Sequence, residues 1–247
     1  MTMIDDLTER DIAKAIDHSL LRPELDDRFV EDGCRLAAEY HVASVCVRPA
    51  DVRRAKAILA ETDVAVGTVI GFPHGSHLTS TKVFEAQQAL AEGAIELDMV
   101  IQIGALKSGR DDDVQADIEA IVGVAHPAGA IVKVIFENAY LTDEEKIRAC
   151  RLSEAAGADF VKTSTGFAPG GATHDDLRLM RANTSPHIQV KAAGGVRTLD
   201  ALLEVMALGT TRIGATATKA IIDDFRARKA GTAPAIPAAG ATLEGGY

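Results

Sequence analysis

The chain has 247 residues, 47% of them hydrophobic, enough to bury a sizeable core in one large domain or two small ones. A formal net charge of −10 disfavours nucleic acid or an anionic membrane as partner, so an anionic ligand would need locally concentrated positive potential. Three widely spaced cysteines, Cys34, Cys46 and Cys150, argue for reduced thiols in a cytoplasmic setting and against a disulfide framework or zinc cluster. No basic leader precedes an apolar run, and no apolar stretch approaches the roughly 18 residues that span a bilayer. A soluble, cytoplasmic protein is expected.

A short helix is predicted over 8–16, with Thr8 as cap and Glu9 and Asp11 complementing the helix dipole. It leads into Ala15-Ile16-Asp17-His18-Ser19-Leu20-Leu21, counted as the first strand. Pro23 then opens a helix to about residue 40, carrying Phe29, Val30, Leu36 and Ala37 on one face. Further strands are predicted over 42–47, 64–70, 95–103, 130–136, 160–162, 188–191 and 211–213. Between and after them fall helices over 49–60, 79–92, from Asp111-Asp112-Asp113 to about 124, and over 142–156, 174–181, 198–207 and 216–228. The segment Thr142-Asp143-Glu144-Glu145 is close to a capping box.

About eight apolar strands, each followed by a helix, predict a parallel sheet covered on both faces. Eight such units in this length fit a (β/α)8 TIM barrel with a short extra N-terminal helix. The alternative, a doubly wound sheet, would want Gly-x-Gly-x-x-Gly after the first strand, and none is there. The barrel is expected to occupy 1–228, and the Ala-, Gly- and Pro-rich stretch 229–247 to form a flexible tail.

Charge interrupts four of the strands, at Asp98, Lys133, Lys162 and Lys191. Neither face of a barrel strand is open to solvent, so such charges are costly unless paired or placed at the C-terminal mouth. Any one lysine alone reads as a structural ion pair; the set of four reads as a site. Lys162 and Lys191 fall on consecutive strands, each close to its following loop, so their ammonium groups should be neighbours. A free lysine ammonium, pKa about 10.4, is deprotonated to roughly one part in a few thousand at neutral pH. A second cation and desolvation raise the supply of free amine. An aspartate on a third strand adds a carboxylate for proton transfer or for holding a water. The combination predicts Schiff-base chemistry on a carbonyl compound.

Two glycine loops follow the last two strands, Ala193-Gly194-Gly195-Val196-Arg197-Thr198 and Gly214-Ala215-Thr216-Ala217-Thr218. Each runs from strand through tight turn to helix N-terminus, presenting backbone N–H groups and a positive dipole end. A lone Gly-Gly is an ordinary turn. Two loops at this pair of positions predict the phosphate site of barrel enzymes, with Gly166 as a third candidate.

At these residues the chain resembles the deoxyribose-phosphate aldolase family of class I aldolases. The resemblance spans nearly the whole chain, from Asp17-His18-Ser19-Leu20-Leu21 to Arg212-Ile213-Gly214. It includes Val45-Cys46-Val47 with Pro49, Gly71-Phe72-Pro73, Glu96-Leu97-Asp98-Met99-Val100 and Val132-Lys133-Val134-Ile135. The segments most similar are Phe160-Val161-Lys162-Thr163-Ser164-Thr165-Gly166-Phe167 and Lys191-Ala192-Ala193-Gly194-Gly195-Val196-Arg197-Thr198. The resemblance implies reversible cleavage of 2-deoxy-D-ribose 5-phosphate to D-glyceraldehyde 3-phosphate and acetaldehyde, with no metal or organic cofactor. It implies Lys162 as Schiff-base lysine, Lys191 as neighbouring cation and proton carrier, and Asp98 as proton donor and acceptor through a water. It further implies that Asp17 and Lys133 join the polar network, that Cys46 lines the pocket, and that Thr165 and Gly166 form one wall. Gly194, Gly195, Gly214 and Thr216 would hold the phosphate, and the assembly would be a homodimer or homotetramer.

Three positions depart from the family pattern. Thr216-Ala217 stands where two serines are common, Phe167 where some members carry lysine, and Gln102 where many carry asparagine. Some relatives end in a tyrosine that reaches the active site, so Tyr247 is a candidate for that role, beside the reading of an inert tail. His74 and His77 read as loop histidines without a metal, His18 as a structural histidine, and Cys34 and Cys150 as packing residues. Two rival functions stay open: another lysine-dependent barrel aldolase or transaldolase on a different sugar phosphate, and a non-catalytic sugar-phosphate-binding barrel.

Overall fold

Eight parallel strands close on themselves in the computed structural model, which describes residues 4–232. They are β1 (Ile16–Leu20), β2 (Ser44–Val47), β3 (Ala65–Ile70), β4 (Glu96–Val100), β5 (Ile131–Ile135), β6 (Phe160–Lys162), β7 (Gln189–Ala193) and β8 (Thr210–Ala215), and β8 returns to pair with β1. Around them lie α2 (Asp27–Glu39), α3 (Val52–Ile58), α4 (Thr79–Glu92), α5 (Ile103–Lys107), α6 (Asp111–Ala125), α7 (Asp143–Ala155), α8 (His174–Ala182), α9 (Leu199–Ala207) and α10 (Thr218–Lys229), with α1 (Glu9–Ala13) ahead of the barrel. The fold is the expected TIM barrel with its extra N-terminal helix. No helix among the described residues is long and apolar enough to cross a membrane. From residue 233 onward the predicted tail, Tyr247 included, lies outside the described residues.

Local chemistry explains where the elements begin and end. Thr8 and Thr142 both form capping boxes, with Asp11 and Glu145 reaching back to the cap backbone. Pro23 does not open α2. Asp26 does, accepting the Phe29 N–H at 2.8 Å, because a free carboxylate satisfies a helix-end donor that proline cannot reach. Beyond β4 the chain turns at once into the short helix α5, so the strand predicted to residue 103 stops at Val100. Thr216 precedes α10 and stays in the loop.

The period of two along each strand separates two environments. Leu97, Val132, Val134, Val161, Val190 and Ala192 are buried in the main apolar core. Their neighbours Asp98, Lys133, Lys162 and Lys191 contact one another across the barrel lumen. The register sets their levels, with Asp98 beside Lys133 and Lys162 beside Lys191. Polar residues thus share the inside of the barrel, while their strand neighbours are taken up by the packing of helices on sheet.

A second buried ion pair braces the helix layer. Lys82 on α4 and Asp117 on α6 are fully buried, with Nζ and Oδ2 at 2.5 Å. Lys82 also donates to the Val100 carbonyl at 2.8 Å, at the end of β4. Asp117 Oδ1 accepts from Thr79 Oγ1 at 2.7 Å and from Gln102 Nε2 at 3.2 Å. Gln102, one of the three departures, therefore completes the hydrogen bonding of a buried carboxylate. Removing one partner strands the other charge, so Asp117→Ala should cost about 3–5 kcal/mol in urea unfolding, while an apolar replacement of both partners should cost much less.

Candidate active site

Asp98 lies at the centre of a buried charge cluster. Its Oδ2 accepts from Lys162 Nζ at 2.7 Å and from Lys191 Nζ at 2.8 Å. Its Oδ1 lies 3.1 Å from Lys133 Nζ but accepts no hydrogen bond of good geometry among the described residues, which leaves lone pairs for a hydroxyl or a water. Lys191 also meets Asp17 Oδ2 at 2.5 Å, and Lys133 meets Asp17 at 2.9 Å and Glu96 at 2.6 Å. Arg212 closes the ring by pairing with Asp17 and with Glu96. Four cations, Lys133, Lys162, Lys191 and Arg212, face three carboxylates, Asp17, Glu96 and Asp98. Loss of one proton brings the cluster to neutrality. Lys162 has a single carboxylate partner among the described residues, against two for Lys191 and three for Lys133.

Burial by itself would raise the Asp98 carboxyl. The ammonium groups of Lys133, Lys162 and Lys191 overcome that and hold it well below the usual carboxylate range. Asp17 behaves in the same way between Lys133, Lys191 and Arg212. Lys133 is the converse case: burial works against its charge, but Asp17, Asp98 and Glu96 raise it well above the ordinary lysine value. The cluster is thus a set of fixed charges. Asp98 stands in this arrangement as a carboxylate that accepts hydrogen bonds and balances cations.

Two cavities open beside this cluster at the C-terminal ends of the strands. One, of about 440 Å³, is lined by Ser19, Gly194, Gly195, Gly214 and Thr216, with Arg22, Arg197 and His18 bringing the polar side chains. Its floor meets the cluster at Gly214, where an added Cβ would stand 3.7 Å from Lys191 Cε. Gly194, at φ 80°, lies against the loop after β6 so closely that a Cβ there would stand 2.8 Å from Gly171 Cα. The Ala172 N–H bonds the Ala193 and Gly194 carbonyls at 3.0 Å, fixing that approach. The other cavity, of about 360 Å³, is apolar and lined by Leu21, Val69, Phe72 and Phe167 with Arg48 and Glu85 at its edge. Phe167 meets Phe72 edge to face, with ring centroids 5.2 Å apart.

The structure brings Asp17, Asp98, Lys133, Lys162 and Lys191 together, and it lines one cavity with Gly194, Gly195, Gly214 and Thr216. Cys46 is buried against Leu21 and Val69, a layer behind the apolar cavity. Burial, helped by Asp98, pushes its thiol up to about 11, so it stays protonated. Thr165 is also buried, and its hydroxyl and N–H turn toward Glu137. Several participants escaped sequence reasoning. Glu96 and Arg212 are further charges within strands, and the rule that singled out Asp98 would have found them. Arg22 and Glu137 sit just beyond strand ends, where a charge is unremarkable in sequence.

The family model for the DeoC/LacD family aldolases matches residues 12–232. The deoxyribose-phosphate aldolase of Rhodopirellula baltica is 48% identical over 96% of this chain and 98% of its own. That of Thermococcus gammatolerans is 53% identical over 87% of this chain and 97% of its own. Among solved structures, the tetrameric deoxyribose phosphate aldolase of Aeropyrum pernix superposes with a TM-score of 0.84 at 30% identity, covering 91% of this chain and 95% of that one.

His18 lines the first cavity and shares a 2.8 Å hydrogen bond between its Nδ1 and Thr218 Oγ1. Burial lowers its imidazole to about 4 from the ordinary 6.5, so the folded ring stays neutral while the unfolded one takes a proton. Stability should therefore fall as pH drops from 6.5 towards 4, with roughly 3 kcal/mol traceable to this group. His18→Asn should remove that share of the slope in thermal melts recorded across the window.

Proposed function

The chain belongs to the DeoC/LacD family of aldolases, and on that premise we propose that it cleaves 2-deoxy-D-ribose 5-phosphate reversibly to D-glyceraldehyde 3-phosphate and acetaldehyde through a Schiff base on Lys162. It is a class I aldolase, a carbon–carbon lyase. One observation carries the assignment of residues: a single carboxylate oxygen of Asp98 holds both Lys162 and Lys191.

The chemistry follows from that arrangement. The Lys162 amine adds to C1 of the open-chain sugar, and loss of water gives an iminium. The iminium keeps the positive charge at Nζ that Asp98 Oδ2 balances at 2.7 Å in the resting site, so the pairing needs no reorganisation. It withdraws electrons from the C2–C3 bond. As the C3 hydroxyl gives up its proton the bond breaks, releasing the aldehyde of glyceraldehyde 3-phosphate and leaving an enamine on Lys162. Protonation at C2 and hydrolysis of the resulting iminium release acetaldehyde and restore the amine. Lys191 is the proton carrier in this reading: it gives its proton to the departing water, takes one from the C3 hydroxyl and passes it to C2, with Asp98 and Asp17 as its counter-ions. Lys133 and Arg212 act from below by holding those carboxylates ionised.

The first cavity takes the phosphate. Its glycine-loop amides, the Thr216 hydroxyl and the nearby start of α9 suit an anion, and Arg22 and Arg197 add side-chain charge where Phe167 and Ala217 supply none. The three buried free thiols support a reducing, cytoplasmic setting. The tetrameric relative, together with the exposed Leu78 and Phe84 on and beside α4, supports assembly as a homo-oligomer.

Treatment with acetaldehyde and borohydride should leave an ethyl group on Lys162, and an unmodified Lys162 would sink the mechanism. Lys191→Met should lower kcat about 10²–10⁴-fold while leaving the fold intact by circular dichroism. Arg22→Ala should raise KM for the phosphorylated sugar about 10-fold and leave the unphosphorylated sugar unaffected, as read in steady-state assays.

A further inference from the structure

Building on the aldolase reading, we propose that Glu137 is a positioning residue, whose carboxylate sets the turn 163–167 behind the Schiff-base lysine and thereby tunes binding of the sugar phosphate instead of amine reactivity. Glu137 is 2% exposed, and none of its hydrogen bonds reaches the lysines of the charge cluster. All of them go to one residue. Its two carboxylate oxygens accept the Thr165 N–H at 3.2 and 3.3 Å, and Oε2 also accepts the Thr165 hydroxyl. The Thr165 hydroxyl oxygen in turn accepts the Phe167 N–H at 2.9 Å. One carboxylate thus organises the backbone of residues 165 and 167, on either side of Gly166 at φ 88°.

The position is an expensive one to occupy for packing alone. Glu137 has φ 60° and ψ 64°, a left-handed conformation that costs a residue with a Cβ roughly 1–2 kcal/mol. Burial pushes its carboxyl up, against the pull of the Thr165 bonds and, less strongly, of the Lys162 ammonium, which it feels through space without a hydrogen bond. The strain has a geometric product. On either side of Glu137 the chain continues the β5–β6 ladder, with the Phe136 N–H bonded to the Lys162 carbonyl at 3.0 Å and the Asn138 N–H to the Thr163 carbonyl at 2.9 Å. A left-handed residue between those two bonds lets the carboxylate reach Thr165 without breaking the ladder.

What the turn carries explains the expected phenotype. Its first residue follows Lys162 directly, and its last, Phe167, forms a wall of the apolar cavity against Phe72. Lys162 itself is held from the other side by Asp98. Releasing the turn should therefore loosen the substrate wall and leave the amine in place.

Glu137→Gly tests this, because glycine keeps the left-handed backbone without strain while removing the side chain that bonds Thr165. The expected result is a KM for deoxyribose 5-phosphate raised about 10-fold or more, with borohydride trapping of acetaldehyde on Lys162 within about 2-fold of the parent chain and the melting temperature retained. Glu137→Gln should recover part of the loss, since one amide oxygen can still accept both Thr165 donors, and Thr165→Val placed on Glu137→Gly should add little. An unchanged KM overturns the proposal, and so does a parallel fall of KM quality, trapping and melting temperature, the pattern of a merely structural residue. Should Glu137→Gly not fold, Thr165→Val decides by the same criteria. Failure of the aldolase reading looks different: the unmodified chain would neither cleave the sugar phosphate nor trap acetaldehyde.

Discussion

One carboxylate oxygen binding two ammonium groups inside a β-barrel is the constraint on which the rest depends. Asp98 Oδ2 holds Lys162 and Lys191 at hydrogen-bond distance in a lumen closed to solvent, where neither like-charge repulsion nor the desolvation of a carboxylate is relieved by water. The barrel answers with further charges: Asp17 takes up Lys191, and Glu96 and Arg212 complete the balance around Lys133. Each added ion lowers the cost of the one before it. Of the three lysines, Lys162 keeps the fewest carboxylate partners among the described residues. The charge balance at the site is set by the whole cluster, not by any single neighbour.

Holding those charges still is the work of the layers outside. The Lys82–Asp117 pair ties α4 and α6 to the end of β4, so the strand that carries Asp98 is pinned just past its mouth. Gln102 gives Asp117 its remaining donor from the same segment. Past the end of β5, the neighbour of β4, Glu137 holds the turn that follows Lys162. Brace and clamp flank the two strands whose side chains must meet, and both are buried carboxylates satisfied by several donors.

The two cavities differ in polarity. Backbone amides, helix starts and arginines surround the space next to Gly214, as an anion requires of a protein whose net charge is −10. Leu21, Val69, Phe72 and Phe167 line the other. Phe167, read in sequence as a lost cation, is in space half of an aromatic contact and part of that apolar wall. Arg22, just past the end of β1, brings a charge to the polar cavity.

The strand–helix alternation, the barrel and the meeting of Asp98, Lys162 and Lys191 were legible in the sequence alone. An apolar strand pattern is dictated by burial on both faces, and charge within it stands out because it is costly. The same rule covered Glu96 and Arg212, which differ from Asp98 only in not having been weighed. What the sequence could not determine is how side chains from separate strands are apportioned among partners: that Asp98 bridges both lysines while Asp17 serves Lys191, Lys133 and Arg212. Nor could it place Pro23 outside α2, explain Gln102, or show Thr165 turned inward. The clearest case is Glu137, because nothing in a glutamate at a strand end announces a left-handed backbone. That conformation is imposed by the ladder on both sides of it and by Thr165, 28 residues away in sequence. Local propensity and burial pattern act along the chain, whereas pairing of charges and strain at a single residue are settled only when strands distant in sequence close around a common lumen.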